Sequence, residues 1–265
     1  ISVKAATLMP VDRRMFLQRF APWFIGDTRH TLKVETSDAW QEKHSCLNVM
    51  GHLVFQSPDN SAFAWLRQQL LAQQSNLGSK EKLAAPSVEK LPEETLDLLY
   101  LLWKRVVRQR RWCPSNAEIT LCIDTEQQPN PDSRIRLSDN LDAIGMPKAV
   151  VQWQWGEPER HAFHAYKNLF NRQWSRWNLG EIDWNESFEA GSGWEKSASD
   201  IYHLMGGTRM SVYPHDGIVD RELQVHGIDN LSLASLSVFP TGGSSNPTFT
   251  LMMLTLRLAE RLLSR

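Results

Sequence analysis

Apolar residues recur at every second position in some stretches of the chain and at every third or fourth in others. The switches between these two periods predict the elements. Leu32 and Val34 share one side of a short strand from Thr31 to Glu35. Leu47, Val49, Leu53 and Phe55 predict a second strand, bent near Gly51. Ile119, Leu121 and Ile123 alternate with Thr120, Cys122 and Asp124. After the turn sequence from Gln128 to Ser133, Arg134 to Ser138 predicts another strand. Val151, Trp153 and Trp155 alternate with more polar residues after a loop from Asp139 to Pro147. These last three segments, joined by short connections, predict an antiparallel sheet. Helical spacing appears in four places. Phe63, Leu66 and Leu70 follow a cap at Asn60 or Ser61, and a second helix runs from Pro92 to Arg111. Phe163, Tyr166, Phe170, Trp174 and Trp177 follow Pro158 and precede Gly180, the expected end of the third helix. Phe249, Met253, Leu256 and Leu263 mark the last, from Thr248 to Ser264. Ser75 to Leu91 and Ala190 to Asp200 read as loops, and Ile218 to Val225 and Leu231 to Ala234 as short strands, with a tight turn at Asp216-Gly217 before the first and Gly227 in a turn between them.

A length of 265 residues accommodates one large domain or two smaller ones. Lys+Arg 29 against Asp+Glu 30 leaves a net charge of −1, so general attraction to nucleic acid is not expected. No run approaches the roughly 18 apolar residues of a membrane span. Cys46, Cys113 and Cys122 are odd in number and match no metal-binding spacing, which leaves free thiols. His161 and His164 share a helix face without an evident third ligand, so no metal is assigned. The basic run from Lys104 to Arg111 suits a helix C-terminus or a docking patch. Arg134 and Arg136 near Asp132 suit a solvated hairpin or an acidic substrate. Eleven tryptophans are expected mostly in the core, with a few at a pocket. The first residue is Ile1 and no signal peptide is visible. The chain is therefore expected to be a processed product or a piece of a longer one, soluble and cytoplasmic.

The chemistry gathers in the last quarter. His203 stands just before Gly206-Gly207, where another group can approach the backbone closely. A neutral imidazole there can accept a proton. Asn246 comes 43 residues later, as a natural N-cap ahead of Pro247 at the first helical position. The helix N-terminus behind it stabilises developing negative charge. Each feature taken alone also suits a purely structural role.

Taken together, these segments resemble the C-terminal signature of the glucose–methanol–choline (GMC) flavoprotein oxidoreductases. The resemblance covers Tyr202 to about Leu263 and rests on His203, Gly207-Thr208-Arg209-Met210, Gly217-Ile218-Val219-Asp220, Val225 to Leu231, Ser237 to Gly243 and Asn246-Pro247-Thr248. It extends more weakly to Pro129 through Leu137, which is similar to a strand pair of that family's substrate domain. It implies oxidation of an alcohol or sugar to a carbonyl by hydride transfer to FAD. His203 would be the base and Asn246 its partner, the His–Asn subtype. Gly207, Thr208, Ala234, Ser235, Asn246, Pro247 and Thr248 would lie on the cofactor, with Ser235 standing where many members carry an acid. The fold implied is α+β: a mainly antiparallel sheet flanked by helices in a substrate domain at 1–200, then a strand–helix segment at 201–265 that belongs to an incomplete FAD-binding domain.

The family's G-x-G-x-x-G phosphate loop is absent, since Gly206-Gly207 and Gly242-Gly243 are the only glycine pairs and neither follows the pattern. The expected partners are therefore a small alcohol or sugar and a separate N-terminal FAD-binding half. The surface that half would cover is expected to be open or covered by a second copy in a homo-oligomer. The alternative is a non-catalytic binding or assembly module that kept the fold and lost the cofactor-binding half.

Overall fold

A computed structural model describes residues 1–26, 28–56, 103, 106–111, 113, 116–154, 156–189, 193–201, 203–243 and 246–264. The predicted helix at 60–70, the loop at 75–91, most of the helix from residue 92, and Trp155 and Tyr202 lie outside them. In chain order the described elements are β1 (Ser2–Pro10), α1 (Arg13–Phe20), β2 (Trp23–Ile25), β3 (Thr28–His30), β4 (Lys33–Glu35), α2 (Asp38–His44) and β5 (Val49–Gln56). Then follow β6 (Glu118–Thr125), β7 (Arg134–Leu141), β8 (Pro147–Gln152), α3 (Glu157–Arg176), β9 (Gly180–Trp184), α4 (Glu186–Glu189) and α5 (Thr248–Leu263).

The architecture is α+β with antiparallel sheets. Five strands pair in the order β4-β5-β6-β1-β9, and every pairing is antiparallel. Helix α3 covers one face. Ala162, Phe163, Tyr166, Phe170 and Trp174 recur at three- and four-residue intervals, so they form one stripe, and all are buried against the sheet. Tyr166, Phe170 and Trp174 stack in series, with ring centroids 6.0 and 5.5 Å apart. The helix starts where Glu159, in its first turn, accepts a 2.6 Å hydrogen bond from the Gly156 N–H. It ends at Arg176, earlier than predicted, because Asn178 turns left-handed (φ 49°) and Gly180 already belongs to β9.

Gly51 does not bend β5, contrary to the sequence expectation. The strand pairs with β6 without interruption from Val49 to Gln56. What Gly51 provides is space: a methyl there would fall onto the Tyr166 hydroxyl, which donates to the Val34 carbonyl at 2.8 Å. Other expectations are also corrected. β7 and β8 form a separate two-stranded hairpin, apart from β6. β8 starts at Pro147 because Asp142 Oδ1 accepts from the N–H groups of Ile144 and Met146 and closes a tight turn. Ile218–Val225 and Leu231–Ala234 are not strands. They make only isolated bridges, because Asp220 Oδ1 draws in the N–H groups of Glu222 and Gln224 and Leu223 turns to φ 65°. Gln109 turns left-handed (φ 51°) and Arg110 bridges to Trp23 of β2 instead of continuing a helix, with the Phe24 N–H donating to the Gln109 carbonyl at 2.6 Å.

Among the described residues, two clusters of buried side chains result. The larger lies between the sheet, α1 and α3. The smaller gathers Val219, Leu223, Val238 and Leu258, with Met210, Val225, Leu233, Phe239 and Leu254 packed around them. α5 meets this second cluster through Leu254 and Leu258 on one side only.

Candidate active site

Ser199 exchanges two 2.9 Å backbone hydrogen bonds with Ser2 at the start of β1, and Ser2 in turn pairs with Asp124 of β6. The chain leaves the sheet there and reaches His203, half-buried, four residues later. Gly206 then turns left-handed (φ 81°). The Thr208 N–H donates to the Ser237 carbonyl at 3.0 Å, the Met210 N–H donates to the Val238 carbonyl at 2.8 Å, and the Thr208 and Ser237 hydroxyls lie 2.6 Å apart. The segment after His203 is thereby laid along residues 237–239. Gly217 locks its far end: a Cβ there would stand 2.6 Å from both the Arg209 carbonyl oxygen and Ser211 Cβ, so only glycine fits beneath that strand-like pass.

The returning loop meets the first one. A Cβ on Gly242 would lie 3.9 Å from Met205 Sδ and 3.6 Å from Glu126 Cβ. Gly242 is four residues before Asn246, Met205 two residues after His203, and Glu126 the residue that follows β6. The three segments therefore converge at one end of the five-stranded sheet. Glu126 is fixed there: its Oε1 accepts from the Asn48 N–H at 2.9 Å, and burial raises its carboxyl above the ordinary carboxylate value against that hydrogen bond.

Asn246 does not cap α5 as predicted. The cap position falls on Pro247, which takes helical angles (φ −78°, ψ −7°), so Asn246 stands one residue too early to reach the first-turn N–H groups. Its side chain is exposed and bonds no described residue, and the helix start carries no side-chain cap. His203 likewise makes no hydrogen bond to a described residue. Their loops are apposed, but the two side chains are not bonded to each other. Ala234 and Ser235 are exposed, and the Ser235 hydroxyl accepts from the Ser237 N–H at 3.3 Å, capping a short 3₁₀ turn.

Residues 129–255 match the family described as GMC oxidoreductase. This segment belongs to the GMC family. Three relatives align with the chain. Fructose dehydrogenase large subunit from Gluconobacter japonicus is 30% identical over 147 residues, 55% of this chain and 25% of that protein. 2-Methyl-1,2-propanediol dehydrogenase from Mycolicibacterium austroafricanum is 29% identical over 125 residues, 46% of this chain and 21% of that protein. 6'''-Hydroxyparomomycin C oxidase from Streptomyces lividus is 29% identical over 140 residues, 51% of this chain and 23% of that protein. The alignments thus span about a quarter of the length of the curated relatives.

Two residues before Glu126 the sheet carries a polar pair that sequence reasoning missed. His52 Nδ1 of β5 is 3.1 Å from Asp124 Oδ2 of β6, an ionic contact whose angle is not that of a hydrogen bond. The two are diagonal neighbours, since His52 pairs with Cys122 and Met50 with Asp124. The one signal in the sequence is Asp124, a charged residue inside a strand whose other interior positions are uncharged. Asp124 first and Cys122 second raise the His52 pKa to about 9, against the effect of burial. Burial pushes the Asp124 carboxyl upward, but His52 and Ser2 outweigh it and hold it below its ordinary value.

The pair makes stability depend on pH in a definite direction. The cationic His52 contributes fully below its free value near 6.5, and that contribution drains away as pH rises through about 9. Asp124 contributes above its free value of 3.8, and its share is lost as pH falls through its lowered folded value. The groups facing His52 are Asp124 and Cys122 on β6 and Lys33 on β4. The gap in urea midpoint between the native chain and His52→Gln should therefore be flat below pH 6.5 and shrink toward pH 9. The free energy lost is on the order of 2 kcal/mol, discounted for the solvent-facing edge of the ring. A gap that is equal at pH 6 and pH 9.5 would contradict the pairing.

Proposed function

We propose that this GMC chain supplies the catalytic pair and substrate wall of an FAD-dependent oxidoreductase that converts a CH–OH group of an alcohol or sugar to a carbonyl. The observation that carries this reading is the convergence of the His203 segment, the Gly242 loop and the uncapped start of α5 beside Glu126. An imidazole ring nitrogen of His203 takes the proton from the substrate oxygen. The Asn246 amide, free of any bond to a described residue, holds that oxygen in reach. A bound flavin would supply the acceptor for the hydride of the same carbon. The chain's residues fit the flavin end of FAD: the first-turn N–H groups of a 16-residue helix have no side-chain cap and can face its electron-rich edge. Gly207, Ala234 and Thr248 are exposed and offer backbone contacts, while the Thr208 and Ser235 hydroxyls are already engaged within the chain and Pro247 is buried. The sequence carries no G-x-G-x-x-G loop for the FAD pyrophosphate.

We infer, accordingly, a substrate domain at 1–200 and a segment of the FAD-binding domain at 201–265, a division supported by the two separate buried clusters. Phe249, Met252, Met253, Leu256 and Leu263 form an open apolar stripe on α5, on the side away from Leu258. A flavin-binding half fits there as the partner. Purified alone, the chain should be colourless after incubation with FAD. Co-expressed with a GMC nucleotide-binding half, it should be yellow and bleach when an alcohol or sugar is added. A yellow, alcohol-reducible preparation of the chain alone would overturn this division of labour. An assembled yellow protein that no alcohol or sugar bleaches would favour a non-catalytic module.

A further inference from the structure

The five-stranded sheet has two unlike faces. Gly51, Leu121 and Ile123 face Tyr166 of α3 and the main core. The alternate residues form two rows on the other face. Lys33, His52, Cys122 and Lys4 are register partners across β4, β5, β6 and β1, and so are Glu35, Met50, Asp124 and Ser2. Paired residues share a face, so both rows point away from α3. At the centre Asp124 is only 6% exposed, and its Oδ1 has no hydrogen-bond partner among the described residues. The His52 side chain beside it is 29% exposed, so its ring reaches the surface.

Stability alone does not account for this arrangement. A buried ion pair is commonly matched or bettered by apolar side chains of similar volume, and a buried acceptor without a partner is costly. Position supplies the explanation. Glu126 comes two residues after Asp124, roughly 7 Å along an extended chain, and it touches the Gly242 loop beside Met205. His52 and Asp124 therefore lie one small polyol away from the converging loops. Charge narrows the class of ligand. Lys33, His52 and Lys4 are offset locally by Glu35, Asp124 and Glu126, and Glu118, Glu181 and Asp183 lie farther out on the same face, so the surroundings of His52 suit a neutral, hydroxyl-rich molecule better than an anion.

We propose that His52 is a specificity residue that donates a hydrogen bond to a second hydroxyl of a neutral polyol or sugar whose reacting carbon lies at His203, and that Asp124 is the positioning residue holding its ring. This rests on the reading of His203 as the base. Hydrogen bonds that involve a charged group contribute about 1.5–3 kcal/mol, which corresponds to roughly 10- to 100-fold in affinity.

The test compares sorbitol with 1-hexanol, two six-carbon alcohols that differ in their further hydroxyls, in the enzyme assembled with its flavin-binding half. His52→Gln should raise KM for sorbitol roughly 10-fold or more, leave kcat within about threefold, and leave both constants for 1-hexanol nearly unchanged. Asp124→Asn should move the same way by less, and His52→Asn serves if the glutamine variant does not fold. In parallel, the His52 ring signals of this chain alone, observed by NMR, should shift on sorbitol addition and stay put with 1-hexanol. Equal losses for both alcohols, or ring signals that sorbitol leaves unmoved, would overturn the proposal. The two readings fail separately. Flavin reduction that persists in His203→Ala removes the base and leaves the ring shift to decide on His52. An active enzyme with an unchanged sorbitol KM in His52→Gln removes only the specificity role.

Discussion

Replacing His203 by alanine is expected to slow flavin reduction in the assembled enzyme by roughly 10²- to 10⁴-fold, the range for loss of a general base. The expectation follows from placement. His203 is half-buried, is bound to no described residue, and sits two residues before Met205, where the Gly242 loop comes down toward Asn246. A structural histidine would usually be held by a bond, as His161 is by the His44 carbonyl at 3.2 Å and His226 by the Ser211 carbonyl at 3.2 Å. The loss should appear in kcat and in kcat/KM together, because the proton leaves the substrate oxygen only as the transition state forms. Stopped-flow bleaching of the flavin checks this, with thermal melting alongside to show that the fold is intact. Reduction within threefold of the native rate would dismiss His203 as the base. Asn246→Ala should cost less, since an amide orients the oxygen without accepting its proton.

Phe163→Ala carries the largest expected effect on stability, about 3–5 kcal/mol. Phe163 is 0% exposed, belongs to the stripe of α3 that lies on the sheet, and meets Phe188 edge to face, with ring centroids 6.0 Å apart. Removing the ring opens a cavity between helix and sheet that neither element can close, because α3 is already fitted against Gly51 through Tyr166. Calorimetry should show a melting temperature lower by roughly 10 °C for a chain of this size. Trp177→Ala is the control. Trp177 is 54% exposed just beyond the end of α3, and its loss should cost under about 0.5 kcal/mol. A loss below 1 kcal/mol at Phe163 would mean that the helix does not depend on this stripe.

Elements with an unbroken period were legible from sequence, and those that interrupt their period were not. β6 and α3 hold one spacing from end to end, and α5 announces itself through Pro247 and a long apolar run. β1 escaped because a bulge between Lys4 and Ala6 breaks its alternation. Val3 and Ala6 both face the core three residues apart, which no two-residue period reveals. α1 escaped because Phe16 is its one buried residue and its other positions are polar or half-exposed. The region 218–234 misled in the opposite way: its apolar alternation is real, but side-chain bonds from Asp220 turn the backbone before strands can form. In the candidate site the difference is one of distance along the chain. His203 and Asn246 stand out through their neighbours in sequence, the glycine pair and the proline. His52 and Asp124 are 72 positions apart and become neighbours only through the β5–β6 register. Glu126 comes into view only where the Gly242 loop lands.

α5 presents two surfaces at once, its N-terminus and one long flank. One flank is anchored, by Leu258 in the smaller core, by Arg257 3.8 Å from Glu222, and by Arg261 donating to Gln224 Oε1 at 3.3 Å. The opposite flank is the open stripe, and the N-terminus stands beside Asn246. Sixteen helical residues make a stiff rod roughly 24 Å long. A rod held along one side and loaded along the other passes any tilt to its tip. A partner that tilted this rod by seating on the stripe would couple to a ligand at its tip, and the factor by which one tightened the other would be returned in full.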